Sequence, residues 1–235
     1  MLTDLLDAEE AQAGHEALLI SADEPDAPFD AKGATIARWR WTEEHTIDGQ
    51  LPEGAGRTFF LTDGRRNPVD QIEAFKAWLA AQGAELARIL CVVHCQLAEK
   101  HPQLRAWYDA CLHFSDVALL TRRDGVDNKW ISDFRARIAS EFGPCLVEFI
   151  KKGRVHNPAL VIEPQARRIS HYFDEDADWV FSNADGEEID PEDEEAVDDE
   201  EEFSAAVAED PYMERRAGGT RRVRELPDIA KFLGA

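Results

Sequence analysis

The run FFLTDGRRNPVD, Phe59 to Asp70, and the run DVALLTRRDG, Asp116 to Gly125, each carry an apolar segment into an abrupt polar turn that contains a glycine. An apolar stretch of four to eight residues that stops at such a turn reads as a buried strand whose C-terminal end delivers a loop. Around these two lie ALLISA (Ala17 to Ala22), RILCVV (Arg88 to Val93) and the weaker PCLVEFI (Pro144 to Ile150). Most are continuously hydrophobic rather than alternating, the pattern of strands covered on both faces. Between them, PVDQIEAFKAWLAAQG places Ile72, Phe75, Trp78 and Leu79 on one helical stripe and closes at Gly83. QLRAWYDACLHF and NKWISDFRARIASEFG repeat the pattern, the latter closing at Gly143. Strand and helix in alternation predict a three-layer α/β domain with a mostly parallel sheet of about five or six strands. GATIARWRWTEE, Gly33 to Glu44, adds a candidate edge strand on which Trp39 and Trp41 share a face that could be an exposed interaction patch.

In open parallel sheets ligands bind beyond the carboxyl ends of the strands. The order Leu61, Thr62, Asp63, Gly64, Arg65, Arg66, Asn67, Pro68 resembles the Glu-Thr/Ser-x-Gly-x-x-x-Pro switch loop of the CobW-type P-loop GTPases. A helix, then Val92, Val93 and His94, a second helix, and then Leu119, Leu120, Thr121, Arg122, Arg123 and Asp124 follow, in the places of that family's Val-Val-Asp strand and guanine-reading Asn-Lys-x-Asp loop. GRVHNPALVIEP extends the similarity, which spans roughly 59–164. The resemblance implies the later part of a GTPase domain, with a ligand edge formed by Asp63, Gly64, Arg65, Arg66, Asn67, His94, Thr121, Arg122, Arg123 and Asp124. The departures are equally specific. Leu61 stands for the switch Glu, His94 for the strand-end Asp, and Thr121 and Arg122 for the Asn-Lys pair.

A phosphate-binding P-loop requires a strand, G-x-x-x-x-G-K-S/T, then a helix, so that backbone N–H groups and the Lys converge on phosphates. GAGRT (Gly54 to Thr58) has Arg57 in the Lys position and precedes a strand, which reads as a turn. The loop after ALLISA, DEPDAPFD, is acidic and would repel phosphate. The family's Cys-x-Cys-Cys metal motif is absent from the sequence. A degenerate relative without nucleotide hydrolysis is the implied outcome, with no catalytic residues, no metal and no cofactor.

The formal charge of the 235-residue chain is -22, yet 19 of its 48 acids fall between Asp174 and Asp210, where there is no Lys or Arg, leaving 29 acids against 26 bases elsewhere. That block reads as a disordered acidic linker, because it has too little apolar surface to offset chain entropy. The expected division is an α/β domain over 1–172, the linker over 173–210, and a basic docking segment over 211–235 that folds back on the core. No run makes a concentrated basic face for nucleic acid or an apolar span for a membrane, and the acidic start is unlike a signal peptide, so a cytoplasmic location is expected. Cys91, Cys95, Cys111 and Cys145 are too few for a disulfide framework and read as reduced thiols.

Three functions are therefore expected to compete. The first is a non-catalytic pseudo-GTPase that engages a protein partner. The second is a weak nucleotide or phosphate binder using Asp124 and the pairs Arg65/Arg66 and Arg122/Arg123. The third is an enzyme using His94 as base and Cys95 as nucleophile.

Overall fold

The computed structural model describes residues 1–8, 15–24, 30–174, 179–182, 188–189, 204–207, 209–223 and 225–233. Two compact units emerge: 1–169 together with 225–235, and 170–224.

In the larger unit, β1 (His15–Ser21), β2 (Thr35–Trp41), β3 (Ile47–Asp48) and β4 (Ala55–Leu61) form a four-stranded sheet in the order β3-β2-β1-β4. β1 pairs in parallel with β2 and β4, and β3 runs antiparallel to β2. β5 (Leu90–His94), β6 (Val117–Thr121) and β7 (Leu146–Phe149) form a second, wholly parallel sheet in that order. The chain is thus α/β, but the expected continuous sheet is divided in two. Phe59 of β4 packs into the same apolar cluster as Leu90, Val117, Leu119 and Leu146. Side chains, not a hydrogen-bonded ladder, thus join β4 to the second sheet among the described residues.

The helices follow local chemistry. In α2 (Pro68–Gln82), Asn67 caps the N-terminus, its Oδ1 accepting from the Val69 N–H at 2.9 Å, and Pro68 follows with its φ preset. Gly83 ends it in the left-handed region at φ 61°, where a Cβ would be strained. α2 covers one face of the first sheet. Phe60 lies 5.2 Å from the Trp78 ring and 4.9 Å from Phe75, and Trp39 stacks on Phe60 at 5.1 Å. The expected exposed tryptophan patch is therefore corrected. Trp39 is fully buried, and Trp41 packs against the same cluster, because β2 lies inside the sheet between β1 and β3 and its tryptophan face turns toward α2.

The second sheet has helices on both faces. Along β6, Ala118 and Leu120 enter a cluster with α3 (Cys95–Lys100), α4 (Arg105–His113) and α5 (Asn128–Glu141), whereas Val117 and Leu119 join α1 (Leu2–Leu6) and α6 (Pro158–Ile162). This is the period-two alternation of a strand between two layers. β5 departs from the expected double coverage: Val92 is 47% exposed. As an edge strand it needs only one covered face.

The C-terminal segment is shared out differently from the expected 211–235 block. Ile229 is buried in the α3–α4–α5 core, with Leu226 and Phe232 packed beside it, while 211–223 belong to the smaller unit. That unit contains β8 (Trp179–Ser182), β9 (Glu188–Ile189) and β10 (Ser204–Val207), antiparallel in the order β10-β8-β9. Three short strands therefore fall within the range expected to be linker. Its most acidic stretch, 190–203, lies outside the described residues.

Candidate functional site

The loops at the strand ends fall into two groups. The first follows β1 and β4, which are parallel neighbours and so present their carboxyl ends together. Asp63 is 4% exposed, and its Oδ1 accepts from the Arg65 N–H at 3.0 Å in a local turn. Arg66 Nε lies 3.0 Å from the Asp63 carboxylate, and Arg66 also reaches Asp23 at 3.2 Å. Arg65 reaches Glu24 at 3.4 Å. The acids after β1 thus neutralise the arginines after β4, in the region where a P-loop would need free N–H groups and a lysine. Gly64 is exposed, with open space where a Cβ would project, and Asn67 is committed to capping α2.

Gln71, which the sequence reading did not single out, holds this loop shut. Its Oε1 accepts from the Asp63 N–H at 2.8 Å, and its Nε2 donates to the carbonyls of Asp63 at 2.9 Å and Arg66 at 3.2 Å. The sequence signal available was a polar residue at a buried helical position three after Pro68, which suits a loop clamp. GAGRT is a turn running into β4, as read: Gly54 sits at φ 72° and Arg57 pairs with Glu16 on β1.

The second group lies beyond β5, β6 and β7. His94 pairs in register with Thr121, and the Thr121 hydroxyl donates to the Val93 carbonyl at 3.0 Å. His94 is the N-cap of α3, its Nδ1 accepting from the Leu97 N–H at 3.1 Å. Gln96 reaches across to the next loop, its N–H donating to the Arg122 carbonyl at 3.3 Å and its side chain to the Asp124 carbonyl. Glu99 accepts from the Asp127 N–H at 2.9 Å, and Asp127 caps α5. Arg122 and Asp124 are exposed, and Arg122 adopts φ 49°. Arg123 instead lays its guanidinium over the Phe149 ring, 4.1 Å from its centroid.

The ten candidate residues are therefore brought together as two clusters, Asp63 to Asn67 with the β1 loop and His94 with Thr121 to Asp124. Each cluster belongs to a different sheet. Arg66 pairs with Asp63 inside its own loop.

Among the four cysteines, Cys95 is fully buried and its burial pushes the thiol up from its ordinary value of 9.0 to about 11. Burial likewise raises Cys145 to about 12. For Cys91 the hydrogen bond with Cys111 is the leading cause of a raised value, followed by burial. His101 lies against the Phe232 ring at 5.0 Å. Among the described residues, no three His, Cys, Asp or Glu side chains gather as a metal site would require.

The raised thiols give a pH expectation. Folded Cys95 and Cys145 hold protons that the unfolded chain releases near pH 9, so the folded state binds more protons above that pH. Stability should therefore be unaffected by these groups below pH 9 and fall as pH rises to about 11–12, by up to about 1.4 kcal/mol per pH unit for each fully titrating thiol. Urea unfolding at pH 8, 9 and 10, with Cys95→Ala and Cys145→Ala as references, checks it. A wild-type loss no larger than that of the double variant would refute it.

No protein-family model matches the chain, and comparison with characterised proteins and with solved structures found no match. Among the described residues, no helix is long and apolar enough to cross a membrane.

Proposed function

We propose that the chain acts as a non-catalytic interaction or regulatory module of the pseudo-GTPase kind, engaging a protein partner without hydrolysing nucleotide. The observation that carries this reading is the closure of the β1 and β4 loop ends. Asp23, Glu24 and Asp63 occupy Arg65 and Arg66 in ion pairs, and Gln71 clamps the intervening backbone, so phosphate would have to displace charges already compensated. The alternative of an enzyme built on His94 and Cys95 is disfavoured. The thiol is buried and protonated at neutral pH, and His94 spends Nδ1 on the helix cap.

The test is phosphate release from GTP and ATP with Mg²⁺ by the full chain. The expected rate is no higher than buffer alone. Turnover above background that Asp124→Ala abolishes would overturn the reading. A supporting structural measurement concerns His94. His94→Ala should leave such assays unchanged and cost about 1 kcal/mol of stability in urea unfolding, as loss of a helix cap does.

The second reading, weak nucleotide or phosphate binding through Asp124 and the four arginines, is favoured by one difference between the clusters. Arg65 and Arg66 are paired with acids, whereas Arg122 and Arg123 have no acidic partner among the described residues.

A further inference from the structure

The composition predicts no basic face, yet the fold assembles one at the carboxyl edge of the β5-β6-β7 sheet. Arg122 and Arg123 follow β6, Lys151 and Lys152 follow β7, and Arg135 rises from α5. Because β6 and β7 run parallel with Leu120 opposite Phe149, their following loops leave the sheet at the same end and side by side. One observation ties two of these cations together directly. The Arg123 guanidinium stands 4.1 Å and the Arg135 guanidinium 5.1 Å from the centroid of the same Phe149 ring, so two positive charges share one aromatic support.

None of the five has a carboxylate within 4.0 Å among the described residues, in a chain holding 48 acids against 26 bases. The acids nearest in sequence and packing are occupied or turned elsewhere. Glu99 and Asp127 are engaged at the α3 side, and the exposed Asp124 makes no ion pair with the five cations. Glu148 precedes Phe149 and so lies on the opposite face of β7. Arg154, one turn beyond Lys152, is paired with Asp4. Like charges held without counter-charge repel, and a preformed set of guanidinium forks on an aromatic floor is matched to an oxyanion that accepts bidentately.

We propose that Arg122, Arg123, Arg135, Lys151 and Lys152 form a binding site for a small, multiply charged phosphate compound. A diphosphate group satisfies several of these cations at once, which a single carboxylate does not. A nucleic-acid backbone fits poorly, because the basic patch is confined to one sheet edge of a chain whose formal charge is -22. The site is independent of the closed β1 and β4 loops, so it adds a ligand to the interaction module without restoring nucleotide hydrolysis.

Calorimetric titration of the full chain with inorganic pyrophosphate tests the site, with orthophosphate and ADP as comparison arms. Saturable pyrophosphate binding is expected, weakened at least fivefold by Arg135→Ala and by Lys151→Ala/Lys152→Ala. Each of these substitutions changes exposed residues and leaves the core intact. Arg123→Ala should weaken it further, while Lys100→Ala, an exposed cation on α3, should leave it unchanged. ADP binding tighter than pyrophosphate would assign the phosphate to a nucleotide, and the reverse would assign it to a free or non-nucleotide diphosphate; either supports the site. The proposal is overturned by no saturable binding up to about 10 mM pyrophosphate. It is equally overturned by equal losses in Lys100→Ala and Arg135→Ala, or by a DNA duplex that binds more tightly than pyrophosphate through the same residues.

Discussion

Asp116→Ala should destabilise the larger unit by about 3–5 kcal/mol, the range for removing one partner from a buried charge pair. Asp116 is fully buried at the entrance to β6 and serves four donors. The Ile89 N–H donates to one carboxylate oxygen at 2.6 Å, while the other accepts from the N–H groups of Arg167 at 2.6 Å and Arg168 at 3.2 Å and from the Arg168 guanidinium at 3.3 Å. One side chain thus joins the residue before β5, the start of β6 and the strap that follows α6. Alanine would leave three backbone donors and a 6%-exposed arginine without that acceptor. Urea unfolding measures the loss, and a value below about 1 kcal/mol would show that water reaches the site and replaces the carboxylate. Asp116→Leu combined with Arg168→Met should cost less than the sum of the single changes, since it removes the buried charge along with its partner.

Trp39→Ala should cost a similar amount, about 3–5 kcal/mol, through a different mechanism. The indole is fully buried between α2 and the first sheet, stacked on Phe60, and its Nε1 donates to the Leu61 carbonyl at 2.9 Å. Alanine would open a large cavity where the backbone cannot follow, because β2 is held by ladders on both sides. Trp39→Phe separates the contributions: it restores most of the apolar contact and should recover all but about 1–2 kcal/mol, the cost of the missing donor and the smaller ring. Gly49→Ala probes the same packing from outside. A Cβ there would stand 2.8 Å from the Trp39 Cβ and 3.2 Å from its Cα, so a loss of about 1–3 kcal/mol is expected. An exposed tryptophan face would show none of these losses in equilibrium unfolding.

The two predictions bear on function because neither residue belongs to the loops of the β6–β7 edge. Either substitution should lower stability while leaving the affinity of the remaining folded protein for pyrophosphate unchanged. That pattern would distinguish scaffold residues from those of the β6–β7 edge.

Period and punctuation in the sequence determined much of the local structure. VALLT is β6 residue for residue, and Asn67, Pro68 and Gly83 bound α2 because capping and left-handed φ are properties of individual residues. The commitment of Cys95 to the core was likewise legible from its apolar setting. Tertiary structure alone decided the rest. Sheet partnership depends on which backbone edges meet, so the sequence could not show that β4 pairs with β1 while, among the described residues, β5 pairs only with β6. The same limit applied to Trp39, since a strand's period says which residues share a face but not what covers it. It applied also to Arg123, Arg135 and Phe149, whose neighbourhood is set by the parallel register of β6 and β7. Charge scattered along the chain becomes a patch only when the register of a sheet brings its loops to one edge.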